Sequence, residues 1–366
     1  PKVNMRAGDV IGAEALIRWR HPERGLLLPG QFLHIIENSE LSIELGNWVI
    51  RETLRQLDEW VGYGLDVSIS INIAGNHLQH PNFAQHLGAC LAAHPRVPAS
   101  RLELEVLETA ALEDIAMVAD LFVECRKLGV SFALDDFGTG YSSLTYFRRL
   151  PADMLKIDQS FVRDMLDDPE DLAIVEGVIG LTKAFKRQVI AEGVETVEHG
   201  LVLLILGCDL AQGYGIALPM PASELPGWIE NFRPHELWSS ATAFNWSRED
   251  IPLLIAEAEH NRWIRSLNTF LDARDGLEPA PELNHQRCRF GRWYYGEKSQ
   301  RYAVSAGFQA IDAVHKRMHQ LGRELIDLHR AGDRRMLAQR RGELDEASAA
   351  LSDAIQLVQA EMLMSA

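Results

Sequence analysis

Two periodicities divide this chain. Along residues 1–235, short apolar runs with strand-like character alternate with stretches whose apolar residues recur at helical spacing. The runs are VIGAEALI (10–17), VSISINI (67–73), RLELEVLE (101–108), VSFALDD (130–136), DMLKID (153–158), RQVIAE (187–192) and CDLAQGY (208–214). Between them lie helical patterns such as GNWVIRETLRQLDEWV (46–61), IAMVADLFVECRKLG (115–129) and DLAIVEGVIGLTKAFK (171–186). This alternation predicts a mostly parallel sheet. From residue 251 the strand signal stops, and only helical spacing remains, in 251–272, 308–329 and 344–363.

Each strand run carries a polar group toward its C-terminal end. In order these are Glu14, Asn72, Glu105, the adjacent pair Asp135 and Asp136, Lys156 with Asp158, Glu192, and Gln212. Taken singly, such an acid is a helix N-cap or a turn residue. In step on seven successive strands, they predict a (β/α)₈ barrel whose strand ends converge on the active-site face. Seven runs leave one strand short in a chain that starts at Pro1, so the eighth is expected upstream or only partly present.

Composition narrows the chemistry. The 366 residues carry a net charge of −16, which argues against a nucleic-acid polymer as partner. No run approaches the ~18 apolar residues of a membrane span, and no signal peptide opens the sequence. A first residue other than Met predicts a processed chain or a fragment. Four scattered cysteines without CxxC spacing predict a reduced, cytoplasmic protein. The convergent acids and amide are hard oxygen ligands, suited to Mg²⁺ or Mn²⁺. They suffice for two ions, the arrangement that clamps the attacking and leaving oxygens of a phosphodiester. Within a strand Asp135 and Asp136 would point to opposite faces, but at the strand's end both can turn to one site. Lys156 would set positive charge near the attacked phosphate and orient a water.

EALIRW (14–19), DDFGTGYSSL (135–144), LKIDQSFV (155–162), AEGVET (191–196) and QGYGIALPMP (212–221) together closely resemble the EAL family, phosphodiesterases that cleave cyclic di-GMP. The resemblance implies a modified TIM barrel over residues 1–235. It also implies hydrolysis of cyclic di-GMP to linear 5′-pGpG with two Mg²⁺ or Mn²⁺ ions. By that likeness Glu14, Asn72 and Glu105 are metal ligands, Asp135 bridges both ions and Asp136 binds the second. Lys156 holds the water, with Asp158 beside it, and Glu192 is second-metal ligand and general base. Glu108 steadies the DDFGTGYSSL loop, and Gln212 is the Gln of the last-strand motif. Arg18 meets a substrate phosphate, and Leu16 touches the ligand. Leu107, His34 and Ile36 depart from the family pattern without removing a ligand. Since every ligand position is kept, hydrolysis is expected over the alternative of a non-catalytic cyclic di-GMP receptor or scaffold. The likeness also implies a homodimer and an upstream sensory or GGDEF domain.

The C-terminal third reads as a separate device. Pro234 and the stretch 236–249 predict a linker, and 250–366 an all-helical domain. With a helix near Cys288 it would make a four-helix bundle. Leu344, Leu351, Ile355, Val358 and Met362 form one stripe, read as bundle core with a coiled-coil dimer seam as the sharper alternative. His315 and His319 sit at i and i+4, a spacing that chelates a metal. The order of HNRW (260–263), CRFGRWYYG (288–296) and HKRMH (315–319) resembles the CZB family of chemoreceptor zinc-binding domains. That likeness implies His260, Cys288, His315 and His319 as ligands of one Zn²⁺; the adjacency of the two domains is the ground for expecting zinc occupancy to bias the barrel's activity. His285, near Cys288, is read as a surface histidine.

Overall fold

A computed structural model gives the fold and describes residues 1–37, 39–113, 115–138, 148–240, 248–272 and 279–364. Residues 139–144 of the DDFGTGYSSL loop and 241–247 of the expected linker lie outside the described residues, as does the Met362 side chain. The chain divides into two compact units, Pro1–Ser239 and Ser240–Ala366.

The first unit is a closed barrel. Its strands are β1 (Lys2–Asn4), β2 (Asp9–Ala15), β5 (Ser68–Ile73), β6 (Leu102–Leu107), β7 (Ser131–Phe137), β8 (Met154–Ile157), β9 (Gln188–Ala191) and β10 (Leu210–Ala211). The order around the barrel is β1-β10-β9-β8-β7-β6-β5-β2. A separate hairpin of β3 (Trp19–His21) and β4 (Gly25–Leu27) interrupts the sequence after β2. All barrel pairings are parallel except those of β1, which runs antiparallel to both β2 and β10.

That topology overturns the expectation of an eighth strand lying wholly upstream, and leaves the alternative of a strand only partly present standing. The eighth strand is within the chain, as Lys2–Asn4, and the barrel closes through it. Three residues with a lysine and an asparagine give no alternation to detect. Val3 is fully buried, so the segment contributes to the core despite its length.

Helices follow the strands on the outside of the sheet order. Those at Glu40–Gly62, Phe83–Ala93, Ile115–Lys127, Pro169–Ala184 and Val197–Leu206 each connect one parallel strand to the next. Local chemistry sets their starts. Asp168 caps Pro169–Ala184 by accepting from the Glu170 amide at 2.8 Å, with proline at the first helical turn. Thr196 caps Val197–Leu206, and Gly207 ends it in the left-handed conformation that favours glycine. Phe122 stacks on Phe132 at 3.8 Å, tying helix Ile115–Lys127 to β7.

The second unit is helical among its described residues. Long helices run Ala256–Asp272, Ala306–Ala331 and Arg334–Met364, and the Cys288 segment supplies the short helix Arg289–Tyr294. The last helix begins at Arg334, ten residues before the run at 344 from which it was expected. Its polar first turns hide it from apolar periodicity. Leu267, Ile311, Leu325, Leu344, Ile355 and Val358 are buried in one core with Trp293 and Tyr294. No helix among the described residues is long and apolar enough to cross a membrane.

Candidate functional site

The strand ends bring most of the predicted residues together around Lys156. This lysine is 1% exposed. Its Nζ lies 2.5 Å from Glu192 Oε1, 2.6 Å from Glu105 Oε2, 3.0 Å from Asp135 Oδ1 and 3.7 Å from Glu14 Oε2. Burial alone would drive the proton off such an ammonium. The carboxylates of Glu105, Glu192, Glu14 and Asp135 outweigh it and hold the lysine charged, well above its usual range.

The amides orient the acids. Asn72 Nδ2 donates to Glu14 Oε1 at 2.7 Å, and Gln212 Nε2 donates to Glu14 Oε2 at 2.8 Å and to Glu192 Oε1 at 3.2 Å. The backbone explains why Gln212 and Glu192 meet. The Gln212 amide donates to Ala191 O at 2.9 Å, and Gln212 O accepts from Val194 N at 3.1 Å. Gly213 follows at φ +153, where a Cβ would come within 2.3 Å of Val194 N. Only glycine allows the two segments to approach so closely.

The adjacent aspartates are accommodated by a bulge. Leu134 pairs with Leu155 and Phe137 with Ile157, so β7 spends one extra residue between these pairs. Asp136 takes φ +54, a left-handed conformation that aspartate tolerates better than most residues. Carboxylate oxygens of Asp135, Asp136 and Glu192 then lie within 4.8 Å of one another. Burial, then Asp135 and a hydrogen bond with Asp158, push the Asp136 carboxyl up to about 6. Burial, with the charges of Asp135 and Glu14, pushes Glu192 up to about 8 against the opposing pull of Lys156. Glu14 is raised by burial and by Glu105. Crowded oxygen donors held above their usual range are the donor set that a divalent cation relieves. The residues fit Mg²⁺ or Mn²⁺. Gln212 Oε1, buried with no partner among the described residues, adds a further unsatisfied oxygen.

Glu105 differs from the other acids. Burial would raise it, but Lys2 and Lys156 together bring it down to about 2. Lys2 Nζ donates at 2.8 Å to both Glu105 Oε1 and Glu103 Oε1. Sequence reading missed Lys2. The signal was a lone lysine in the apolar setting of PKVNM, together with Glu103 and Glu105 on one face of β6 at i and i+2.

The remaining predicted residues make contacts of their own. Glu108 Oε2 accepts from the Gly138 amide at 3.1 Å, directly after the aspartates. Asp158 caps helix Gln159–Asp164 by accepting from Ser160 N at 2.9 Å. Arg18 Nη1 donates to Ile17 O at 2.9 Å, and Leu16 is exposed.

The helical unit holds a second donor group. Ligand atoms of Cys288, His315 and His319 lie within 4.8 Å of one another, and Cys288 Sγ is 3.4 Å from His315 Nε2. Both histidines are 1% exposed. The Nδ1 atoms of His260, His315 and His319 are buried without a hydrogen-bond partner among the described residues. Cys288 Sγ also accepts from the Gly291 amide at 3.2 Å. A thiol and imidazoles with unused nitrogens fit Zn²⁺. His260 lines the same cavity of about 240 Å³, but it stands outside the close trio, its Nε2 2.7 Å from Ser348 Oγ. His285 is half-buried, its ring centroid 6.2 Å from that of His315.

Comparison with known proteins agrees with this division. The family model described as EAL domain matches residues 1–219. The chain belongs to the EAL domain family. A second model, described as chemoreceptor zinc-binding domain, matches residues 260–326, so the EAL domain is followed by a CZB domain. The EAL part is 40% identical over 226 residues to the bifunctional diguanylate cyclase/cyclic di-GMP phosphodiesterase MucR of Pseudomonas aeruginosa, covering 62% of this chain and 33% of that protein. It is 35% identical over 232 residues to the cyclic di-GMP phosphodiesterase PdeR of Escherichia coli, covering 63% of this chain and 35% of that one. The chain therefore spans about a third of the length of these relatives. A solved structure described as PaMucR phosphodiesterase in complex with c-di-GMP superposes with a TM-score of 0.59 at 39% identity, covering 62% of this chain and 91% of that one.

Proposed function

We propose that this EAL domain hydrolyses cyclic di-GMP to linear 5′-pGpG. The carrying observation is the convergence of Glu14, Glu105, Asp135 and Glu192 about one buried ammonium, with Asn72 and Gln212 bonded to Glu14 and Asp136 grouped with Asp135 and Glu192. The named activities of the relatives support the same reading. Glu14, Asn72, Glu105, Asp135, Asp136 and Glu192 would hold two Mg²⁺ or Mn²⁺ ions. Such ions, when bound, lower the pKa of a water and neutralise charge on the phosphoryl oxygens.

The chain's own groups supply the rest. Lys156 brings positive charge to where the phosphoryl oxygens gain negative charge, and its N–H orients the attacking water. Glu192, beside it, takes a proton from that water. A water oxygen–phosphorus bond forms, the phosphorus–O3′ bond breaks, and O3′ leaves with a proton. Arg18 and Leu16 would meet substrate at the rim, with Glu108 fixing Gly138 and the loop it opens. In the helical unit, His260, Cys288, His315 and His319 would bind zinc, and zinc occupancy would bias hydrolysis by favouring one of two activity states. The assembly would be a cytoplasmic homodimer.

Glu14→Ala tests the catalytic reading. Hydrolysis of cyclic di-GMP should disappear with Mn²⁺ or Mg²⁺ supplied, while the barrel stays folded by circular dichroism. Retained hydrolysis would remove Glu14 from the site and the two-ion assignment with it. The zinc effect is read by comparing rates at fixed Mg²⁺ with and without a zinc-selective chelator.

A further inference from the structure

The last helix packs an apolar seam of Leu344, Leu351, Ile355 and Val358, all buried. Position 348 falls on that seam, four residues after Leu344 and three before Leu351, yet it holds a serine. A hydroxyl on an apolar seam needs a partner. Here it is 2.7 Å from His260 Nε2. The other ring nitrogen of His260, Nδ1, is buried without a hydrogen-bond partner among the described residues. The ring lines the same cavity as Cys288, His315 and His319.

A neutral imidazole has one N–H and one lone pair. The hydroxyl can accept or donate at Nε2, but a hydrogen on the unpartnered Nδ1 would be a buried, unsatisfied donor, which favours the hydrogen on Nε2 and the lone pair on Nδ1. We propose that Ser348 is a positioning residue of the zinc site, which holds His260 as the Nε2–H tautomer so that Nδ1 is the ligating nitrogen. The proposal rests on the zinc reading above. It follows the rule that a metal-bound histidine gives its other N–H to a fixed acceptor, which sets both tautomer and ring orientation. It also gives zinc a route into the fold. Metal on Nδ1 makes the Nε2–H more acidic and strengthens its bond to Ser348, so occupancy tightens helix Arg334–Met364 onto helix Ala256–Asp272.

The test is the zinc affinity of the full chain, measured by competition with a chromophoric chelator. Ser348→Ala should weaken binding about 10–100-fold, the usual effect of removing an outer partner of a ligand. Ser348→Val should do the same and Ser348→Thr should restore binding, a pair of equal shape that isolates the hydroxyl if the alanine variant folds poorly. A purely structural serine would lower the melting point of the zinc-free protein and leave the zinc affinity unchanged, which would overturn the proposal. Tighter zinc in Ser348→Ala would overturn it too, since Nε2 would then be the ligand and Ser348 its competitor. Cys288→Ala is measured alongside. If it binds zinc like the parent, the zinc reading itself fails. If it loses zinc while Ser348→Ala does not, only the positioning role fails.

Discussion

The two donor clusters meet burial in opposite ways. In the barrel the acids surround their own counterions, Lys156 and Lys2, which hold Glu105 down to about 2 while Glu192 is pushed up to about 8. In the helical unit the acid beside the cluster, Glu259, is paired with Arg289 at 2.7 Å, and the cluster's own donors are neutralised by burial. Burial brings His315 down to about 3 and His319 and His260 to about 4, and it drives the Cys288 thiol up to about 11. Those are the neutral forms. The barrel cluster therefore stands assembled by ion pairs, and a cation competes with Lys156 for the same oxygens. The helical cluster stands assembled by packing and a few neutral hydrogen bonds, and a cation would be its first charged partner. On the proposed reading, one site would do chemistry on a charged substrate and the other would register the presence of an ion.

Removing the barrel's internal counterion should break this contrast most severely. Lys156→Met leaves Glu105, Asp135 and Glu192 without their shared ammonium. Breaking a buried pair costs about 3–5 kcal/mol. Loss of the charge facing the phosphate should slow hydrolysis about 10²–10³-fold. The informative measurement is a melt in rising Mn²⁺. The variant should gain more stability from Mn²⁺ than the parent does, because the ion then replaces a missing charge. An equal gain in both proteins would mean that Lys156 and the cation do not share ligands.

The helical cluster predicts a smaller, separate effect. Zinc at about a thousand times its dissociation constant stabilises a folded domain by about 4 kcal/mol. Calorimetry of the full chain should show one transition that rises with zinc and another that does not. Cys288→Ala should abolish the rise, and the Lys156→Met transition should be indifferent to zinc. Binding must also release the Cys288 proton, so the rise should shrink as pH falls. A zinc shift that survives Cys288→Ala would place the ion elsewhere.

How far these clusters were legible follows from how each residue is presented. Glu14, Asn72, Glu105, Lys156, Glu192 and Gln212 sit at or just past strand ends, so apolar runs mark their places in the sequence. The alternation also identified β5 and β6 to within a residue or two. It failed for β1, three residues long, and for the Trp19–His21 and Gly25–Leu27 hairpin, because so few positions carry no period. Asp158, read as sitting beside Lys156, serves two partners, since one oxygen caps helix Gln159–Asp164 while the side chain also hydrogen-bonds with Asp136. The bulge that turns Asp135 and Asp136 to one site has no local signature beyond the aspartates themselves. Lys2 and Ser348 were missed for one reason. Each is a polar residue in an apolar context, and its partner lies about a hundred residues away, at Glu105 and at His260.

The finest test asks whether a buried histidine without a neighbouring donor set behaves as the zinc-site histidines do. His77 is 1% exposed, and its Nε2 donates to Asn47 Oδ1 at 2.9 Å. Its Nδ1 is buried with no partner among the described residues. Gly46 makes room for it, since a Cβ there would come within 2.2 Å of Nδ1. Burial, with lesser repulsion from His86 and His80, brings His77 down to about 4. The unfolded chain takes up this proton near pH 6.5 and the folded chain only near 4. Stability from this group is thus complete above 6.5, declines as pH falls through the window, and is level again below about 4. The total is at most roughly 3 kcal/mol. His77→Gln keeps an amide donor for Asn47 and removes the proton site. Chemical denaturation of both proteins at stepped pH should give curves that run parallel above 6.5 and converge toward pH 4. Zinc should leave that difference unchanged, since no thiol or second imidazole joins His77 in a donor group among the described residues. Parallel curves throughout would mean that His77 protonates as easily folded as unfolded. Burial alone would then not explain the neutral histidines of the zinc cluster either.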